Sequence, residues 1–279
     1  MIIDAITNTY KQHNEDAYGH GVNFAWVIDG ALPLDKTNVT PWTNDVTWVG
    51  NWWTKYLNTH LQDASMSIQE HLQRGVLKLN EEFKQFAPID SLSKLDRASF
   101  SIGITRLVNE WIECYVLGDI ELVLKFKNDL YQTIVDDKIE VLDRQVINMI
   151  VENPNRENEI VFNGYTAKEL EVLRSNRMKM NSSEGYYILE HDPMVIEKGR
   201  YQRFALHDLA SMMLMSDGFS AIHNKYKLYS LETLFEKVRL KSVDDIIPIL
   251  RKKELDDFKT CHRLRKHDDA TAVYIEFNE

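Results

Sequence analysis

The run MMLMSDGFSA, residues 212–221, joins an apolar segment to a carboxylate. Its first four side chains are apolar, which predicts a short buried strand. Asp217 and Gly218 follow at once, and an Asp-Gly pair is typical of a turn because glycine tolerates positive φ and aspartate bonds to its own backbone. Taken alone, the stretch predicts a core strand that ends in a turn, and it assigns no chemical role to Asp217.

The composition around this stretch is that of a globular protein. Of the 279 residues, 44% are hydrophobic and 27% are charged, and the net charge is -10. The acidic balance disfavours nucleic acid as a partner, because phosphate contacts need clustered Lys and Arg. One basic cluster, at 251–254 and 262–267, is interpreted as a solvated helix face.

The two cysteines, Cys114 and Cys261, lie outside any CxxC pattern. They imply no disulfide framework, and Cys114 is expected to be a small core residue. The first residues lack the pattern of a signal peptide, and no apolar run approaches the ~20 residues of a membrane span. We therefore expect a cytoplasmic protein without a membrane partner.

Residue patterns divide the chain into segments. Two strands are expected within 1–35, and two helices within 43–87, the first capped by Asn44. Strands joined by hairpins are expected within 98–135, with breaks at Asn109-Glu110, Gly118-Asp119 and Asn128-Asp129. Residues 136–186 are polar, contain helical stretches and predict a flap-like insertion. Strands are then expected at GYYILE (185–190), at ASMMLM (210–215) and at the C-terminal ATAVYIEF (270–277), with helices near 230–240 and 242–260.

Carboxylates recur where the apolar runs stop. The positions are Asp29 with Gly30, Asp119, Asp217, Asp268 with Asp269, and Glu15 with Asp16. If the strands share one pair of sheets, several of these side chains can converge. Clustered carboxylates repel one another unless a cation lies among them, and oxygen-only ligands favour Mg²⁺ or Mn²⁺. Water bound to such cations is a nucleophile near neutral pH, which makes phosphoester hydrolysis the natural chemistry.

The order of these segments resembles that of the type-2C (PPM) metal-dependent serine/threonine protein phosphatases, in their compact bacterial form. The matching segments are NEDAY (14–18), FAWVIDGA (24–31), ASFSIGI (98–104), YVLGD (115–119), LMSDGFS (214–220) and HDDATAVYI (267–275). The resemblance implies an α+β fold, a four-layer αββα sandwich of two antiparallel sheets flanked by helix pairs. It implies a single domain over residues 1–279 with an insertion at about 136–186.

The resemblance also implies roles for the carboxylates. Asp29, Gly30 through its carbonyl, Asp217 and Asp268 would hold two cations, and Asp119 would hold a third, weaker one. Glu15 and Asp16 match the family's early Glu-Asp pair, which supports the metal-bound waters. Asp269 replaces the usual asparagine and could add charge to the rim.

Two departures from the family pattern concern the substrate. The histidine that follows the Asp-Gly pair in other members is Ala31 here, and the phosphate-binding arginine is Lys11, which keeps a charge but has no bidentate fork. His13 and His267 could supply charge or a proton, although solvated histidines are favoured. The metal-binding acids are all retained.

The resemblance implies a phosphatase, dependent on two or three Mn²⁺ or Mg²⁺ ions, that hydrolyses phosphoserine and phosphothreonine in proteins through a metal-activated water. Its partners would be phosphorylated proteins and a cognate kinase. The alternatives are a weakly active or inactive binding module with the same fold, and a phosphatase of small phosphate esters.

Overall fold

Two five-stranded antiparallel sheets form the centre of the protein, in a computed structural model that describes residues 1–35, 38–162, 164–256 and 264–277. The first sheet contains, in spatial order, β1 (Ile2–Asn8), β12 (Ala270–Glu276), β11 (Leu209–Met215), β6 (Glu121–Phe126) and β7 (Tyr131–Ile134). The second contains β10 (Arg200–Ala205), β5 (Trp111–Leu117), β4 (Ser99–Val108), β3 (Phe24–Ala31) and β2 (Ala17–His20).

The central strands are buried on both faces. In β11, Met212 and Leu214 belong to the cluster between the two sheets, whereas Met213 and Met215 pack with helices on the outer face. Successive side chains of a strand point to opposite faces, so a strand covered on both sides must be apolar throughout. This explains the uninterrupted run at 212–215.

Helices cover the outer face of each sheet. The second sheet packs against α1 (Asp45–His60) and α2 (Ile68–Phe83), and the first packs against α5 (Asp217–Asn224), α6 (Leu231–Leu240) and α7 (Ile247–Asp256). The predicted four-layer sandwich is confirmed, although one flank carries three helices rather than a pair. Asn44 caps α1 as predicted, since its side chain accepts a hydrogen bond from the Thr47 amide.

The segment at 136–186, which was predicted as an insertion and is called the insertion below, contributes no described residue to either five-stranded sheet. It consists of α3 (Lys138–Glu152), β8 (Ile160–Phe162), β9 (Tyr165–Thr166) and α4 (Ala167–Met178). Sequence patterns indicated its helices but missed the short β8–β9 hairpin. Arg174 on α4 pairs with Asp35 at 2.6 Å, and the Asn176 amide donates to the Leu142 carbonyl of α3 at 3.2 Å. These contacts hold the two helices together and connect them to the segment after β3.

One predicted strand and one predicted hairpin are wrong. GYYILE forms no strand: only Leu189 makes a bridge, to Phe100 of β4. Gly118-Asp119 joins no hairpin, because β5 and β6 lie in different sheets. Gly118 has φ +86, and a Cβ there would lie 2.3 Å from Ser101 Oγ, so the chain can cross between the sheets at this point only with glycine.

Cys114 is fully buried, as predicted, whereas Cys261 lies outside the described residues. Within the described ranges, each helix is too short or too polar to cross a bilayer.

Candidate metal and phosphate site

Carboxylates from both sheets meet in one cavity of about 830 Å³ between the sandwich and the insertion. Its lining includes Asp29 of the second sheet, Asp119 after β5, Asp217 after β11 and Asp268 before β12. The expected convergence of these side chains is therefore present in the structure. Side chains of α3 and α4 complete the cavity, among them Leu142, Asp143 and Arg177.

Asp29 lies within β3 rather than at its end. The strand continues to Ala31, and Asp29 pairs in register with Ser101 of β4. Gly30 is required by a close approach of the backbone, because a Cβ there would lie 2.6 Å from the Glu15 carbonyl oxygen. The loop that carries Glu15 and Asp16 thus packs directly against the strand that carries Asp29.

Asp217 begins a helix instead of a turn. Ser216 is the N-cap of α5, and Asp217 is its first residue, where the helix dipole favours a negative charge. A Cβ on Gly218 would lie 2.0 Å from the Asp269 carbonyl oxygen. The glycine therefore lets α5 start against the segment that leads into β12, and this brings Asp217 near Asp268.

Four carboxylates, which we name the strand acids, carry raised pKa values: Asp16, Asp29, Asp119 and Asp217. Burial raises the pKa of Asp29 well above its usual range, and Asp16 and Asp217 add to the shift. Burial and then Asp217 raise the pKa of Asp119 to about 6, although the Ser101 hydroxyl donates to Asp119 Oδ1 at 2.5 Å.

Asp16 is the most isolated of the strand acids. It is 6% exposed, and among the described residues neither of its carboxylate oxygens has a hydrogen-bond partner of normal geometry. Burial and the Asp269 charge raise its pKa well above the usual range, and the nearby side chains of Thr271 and Ser216 offset this only in part. A buried carboxylate in this state requires either a proton or a cation.

Three further carboxylates, which we name the bridged acids, are Glu15, Asp268 and Asp269. Lys11 Nζ lies 3.0 Å from Glu15 Oε2, 3.2 Å from Asp268 Oδ1 and 3.0 Å from Asp269 Oδ2. Arg265 Nη1 lies 3.7 Å from Glu15 and 3.5 Å from Asp268. Burial works against the ionised form of Asp268, but Arg265 and Lys11 outweigh it and lower the pKa of this carboxyl.

Asp269 does not add charge to the rim, contrary to expectation. It is 2% exposed and accepts hydrogen bonds from the Thr9 hydroxyl at 2.5 Å and from the Glu15 amide at 3.0 Å. Together with the Lys11 contact, these bonds fix the loop from Thr9 to Asp16 against the start of β12. The Asp269 carboxylate therefore binds the Lys11 ammonium as well as the loop.

The basic stretch at 251–254 is only in part a solvated helix face, because Lys252 is exposed whereas Arg251 and Glu254 are buried. Arg251 is 4% exposed, and its guanidinium donates to the Asn8 carbonyl at 2.9 Å and to the Asp268 carbonyl at 2.8 Å. The Arg251 guanidinium also pairs with Glu254 at 2.9 Å. Glu254 in turn contacts His267 Nδ1 at 2.7 Å. His267 is thus engaged by Glu254. Of the second basic stretch, residues 262 and 263 lie outside the described part of the chain.

His13 also differs from the favoured interpretation. Its Nε2 atom is buried and has no hydrogen-bond partner among the described residues, so this side of the ring is not solvated.

Sequence patterns missed several side chains at the cavity. Asp143 of α3 lies beside the strand acids, and burial followed by Asp119 and Asp217 raises its pKa to about 7. Lys225 Nζ lies 4.0 Å from Asp217 Oδ2. Arg177 donates to the Ser99 hydroxyl and the Leu32 carbonyl, both at 3.2 Å. These residues follow no apolar strand, and only the folded chain brings them to the cavity.

The donor chemistry of the site fits a hard divalent cation, since the converging groups are carboxylates with a nearby backbone carbonyl. The orphaned carboxylate of Asp16 and the mutual repulsion of Asp29, Asp119 and Asp217 support the same assignment. In the described residues, however, no three His, Cys, Asp or Glu side chains form a ready-made metal group. Asp268 contacts Lys11 and Arg265, and Asp217 Oδ2 lies 4.0 Å from Lys225 Nζ, so these carboxylates would have to turn towards a cation.

Neither a family sequence model nor a curated protein sequence matches the chain. Solved structures do match it over nearly its whole length. The serine/threonine phosphatase PstP/Ppp of Mycobacterium tuberculosis is 12% identical, with a TM-score of 0.60 over 100% of this chain and 99% of the other. The phosphatase Stp1 of Staphylococcus aureus is 12% identical, with a TM-score of 0.57 over 99% and 95%. The chain has a PP2C-like fold.

A further match within the PP2C-like fold is the catalytic domain of PstP in complex with two manganese ions. It is 12% identical, with a TM-score of 0.56 over 99% of this chain and 97% of the other. At this level of identity the likeness concerns the architecture alone. It agrees with the order of strands and helices that the residue patterns indicated.

Proposed function

We propose that this protein is a cytoplasmic, Mn²⁺- or Mg²⁺-dependent phosphatase of the PPM family that hydrolyses phosphoserine and phosphothreonine in proteins. The observation that carries the proposal is the meeting of Asp29, Asp119 and Asp217, from both sheets, in one cavity of a PP2C-like fold. The three solved structures named above are serine/threonine phosphatases, and one of them holds two manganese ions. A phosphorylated protein and its kinase are the corresponding partners.

Asp29, Asp217, Asp268 and the Gly30 carbonyl are the groups that would hold two cations, with Asp119 available to a third. When bound, the cations would neutralise phosphoryl oxygens and lower the pKa of water, as divalent metals do in phosphoester hydrolysis. The sheets supply rigid supports for these groups, because β3 is paired on both edges and β11 is buried on both faces.

The chain's own residues have three further tasks. Asp16, buried beside Asp29, can accept a proton at its carboxylate or hold a water by hydrogen bonds. Glu15 is fixed by Lys11, whose ammonium also contacts Asp268 and Asp269. The insertion closes the opposite side of the cavity with Asp143, Tyr165 and Arg177, and we assign it the selection of the substrate.

The test is hydrolysis of an aryl phosphate and of a phosphothreonine peptide by purified protein with Mn²⁺. Asp217→Asn keeps the size of the side chain and removes its charge. Because even supporting partners of metal ligands cost 10–100-fold, this change should lower the rate by more than about a hundredfold. The matched control is Asp90→Asn on the exposed surface, which should leave the rate unchanged.

Full activity of Asp217→Asn would contradict the proposed role of this carboxylate. No turnover by the unaltered protein, together with intact Mn²⁺ binding by calorimetry, would instead favour a binding module. Turnover of the aryl phosphate without turnover of phosphopeptides would favour small phosphate esters as substrates.

A further inference from the structure

Lys11 and Arg265, the cationic side chains that contact the bridged acids, differ in how firmly they are held. Lys11 Nζ contacts three carboxylates at 3.0 to 3.2 Å, and its side chain is 24% exposed. Asp269, one of the three, is itself buried and tied to the Thr9 hydroxyl and the Glu15 amide. The ammonium charge of Lys11 is therefore neutralised locally, and the side chain serves as part of the loop's support.

Arg265 is held more loosely. Its contacts with Glu15 and Asp268 are 3.7 and 3.5 Å, both are made by Nη1, and its side chain is 45% exposed. These contacts are longer than the 3.0 to 3.2 Å contacts of Lys11, and the Arg265 side chain is more exposed than that of Lys11. Arg265 lines the 830 Å³ cavity and also the adjoining cavity of about 430 Å³ that contains Asp119, Lys225 and Asp217. It thus lies at the junction of both cavities, beside the proposed metal ligand Asp268.

We propose that Arg265, rather than Lys11, is the residue that binds the phosphoryl group of the substrate. The inference rests on the proposed phosphatase function and deepens it. A guanidinium presents two parallel donors to a phosphate, which an ammonium cannot, so Arg265 supplies the bidentate fork that is missing at position 11. It enters from the segment before β12, on the side of the cluster that also carries Asp268.

Substitutions of Arg265 and of Lys11 should therefore have different effects. When substrate or phosphate enters, Arg265 exchanges two long carboxylate contacts for charge-assisted bonds to the phosphoryl oxygens. Lys11 keeps its three carboxylates, because releasing it would leave the buried Asp269 without its cation. Loss of Arg265 should weaken phosphate binding, whereas loss of Lys11 should disturb the loop and the protein's stability.

The experiment compares Arg265→Ala, Arg265→Lys and Lys11→Ala in the full chain with Mn²⁺. The readouts are KM and kcat for an aryl phosphate, inhibition by inorganic phosphate, Mn²⁺ affinity by calorimetry, and Tm. Charged hydrogen bonds of this kind correspond to about 10- to 100-fold in binding. Arg265→Ala should raise KM and the phosphate inhibition constant by that factor without weakening Mn²⁺ binding, and Arg265→Lys should restore only part of the loss.

The matched control is Arg203→Ala on β10, an exposed arginine over the Trp111 ring and outside both cavities. It removes the same charge and should leave every readout unchanged. An unaltered KM and phosphate inhibition in Arg265→Ala would overturn the proposal. So would a fall in Mn²⁺ affinity as large as the rise in KM, because Arg265 would then act through the metal ligands.

A failure of the proposed phosphatase function can be distinguished from a failure of the Arg265 proposal. If the unaltered protein has no turnover, calorimetric binding of inorganic phosphate to the Mn²⁺-loaded protein still compares Arg265→Ala with the control. If Arg265→Ala lowers Tm by more than a few degrees, Arg265→Gln provides the same comparison with more of the side chain retained.

Discussion

The strand acids and the bridged acids lie side by side but differ in the cationic side chains that contact them. Asp268 of the bridged acids has a lowered pKa, because Arg265 and Lys11 outweigh the effect of burial, whereas burial raises the pKa of Glu15 despite the same two side chains. Asp29 and Asp16 of the strand acids have pKa values well above the usual range, because burial and neighbouring carboxylates act together. One group carries its own cations, and the other requires an external cation or protons.

This difference separates the support of the site from its chemistry. The bridged acids join the loop at Thr9–Asp16 to the start of β12 through side chains of the chain itself. The strand acids are placed by the two sheets and repel one another. Stability and cation binding should therefore respond separately to substitutions in the two groups.

The largest effect on stability is expected at Arg251, which donates a hydrogen bond to the carbonyl of Asp268, one of the bridged acids. Its guanidinium joins the carbonyls of Asn8 and Asp268 and pairs with the buried Glu254. Arg251→Ala removes the buried guanidinium that pairs with Glu254 and contacts these carbonyls, and breaking a buried pair costs about 3–5 kcal/mol. Urea unfolding of the metal-free protein should show this loss in the free energy of unfolding.

The neighbouring Lys252→Ala is the control for Arg251. Lys252 is 77% exposed and pairs with Asp256 on the same helix, so its removal should change the free energy of unfolding by less than about 1 kcal/mol. Equal losses in the free energy of unfolding of the two variants would show that the buried Arg251 guanidinium contributes no more to stability than an exposed lysine.

Arg251 also illustrates what sequence patterns could and could not predict. Apolar runs indicated the central strands β3, β4, β5, β11 and β12 correctly, because burial on both faces leaves an uninterrupted signal in the sequence. The charge pattern at 251–254 indicated a solvated face, since nothing local shows that Asn8 and Asp268, distant in sequence, surround this arginine.

The residues of the candidate site likewise divide into those that sequence patterns predicted and those that they missed. The acids at the ends of apolar runs could be named from the sequence, because a strand fixes the position of the residue that follows it. The partners that arrive from loops and from the insertion, such as Asp143, Lys225 and Arg265, could not. Asp217 was expected in a turn, and the start of α5 against the Asp269 carbonyl depends on a contact between distant segments.

A second prediction uses the same substitution in both groups. Asp29→Asn removes a charge that its neighbours repel, so it should raise the Tm of the metal-free protein while abolishing Mn²⁺-dependent turnover. Asp269→Asn removes a charge that holds Lys11 and the Glu15 amide, so it should lower the Tm. A hydrogen bond to a charged group contributes about 1.5–3 kcal/mol, and 1 kcal/mol shifts Tm by about 2–4 °C in a chain of this size.

Calorimetric scans of the two variants at pH 7.5, each with a chelator present, give the measurement. Shifts of the same sign in Asp29→Asn and Asp269→Asn would remove the distinction between strand acids and bridged acids.

The smallest expected effect concerns Asp143, the carboxylate that the insertion places beside the strand acids. Its pKa is raised to about 7, first by burial and then by Asp119 and Asp217. In the unfolded chain an aspartate titrates near 3.9, so the folded state binds the extra proton between about pH 4 and pH 7. The stability of the metal-free protein contributed by this group is therefore intact below pH 4 and is lost as the pH rises to 7.

Asp143→Asn should abolish this loss. The difference in Tm between the variant and the unaltered protein should be near zero at pH 4, grow up to pH 7 and then level off. Burial also lowers the pKa of His191, to about 4, and its titration acts in the opposite direction, but it is common to both proteins and cancels in the difference. A difference that is flat from pH 4 to pH 8 would mean that Asp143 is not coupled to the strand acids, whereas a difference that disappears on adding Mn²⁺ would place Asp143 within the field of the bound cations.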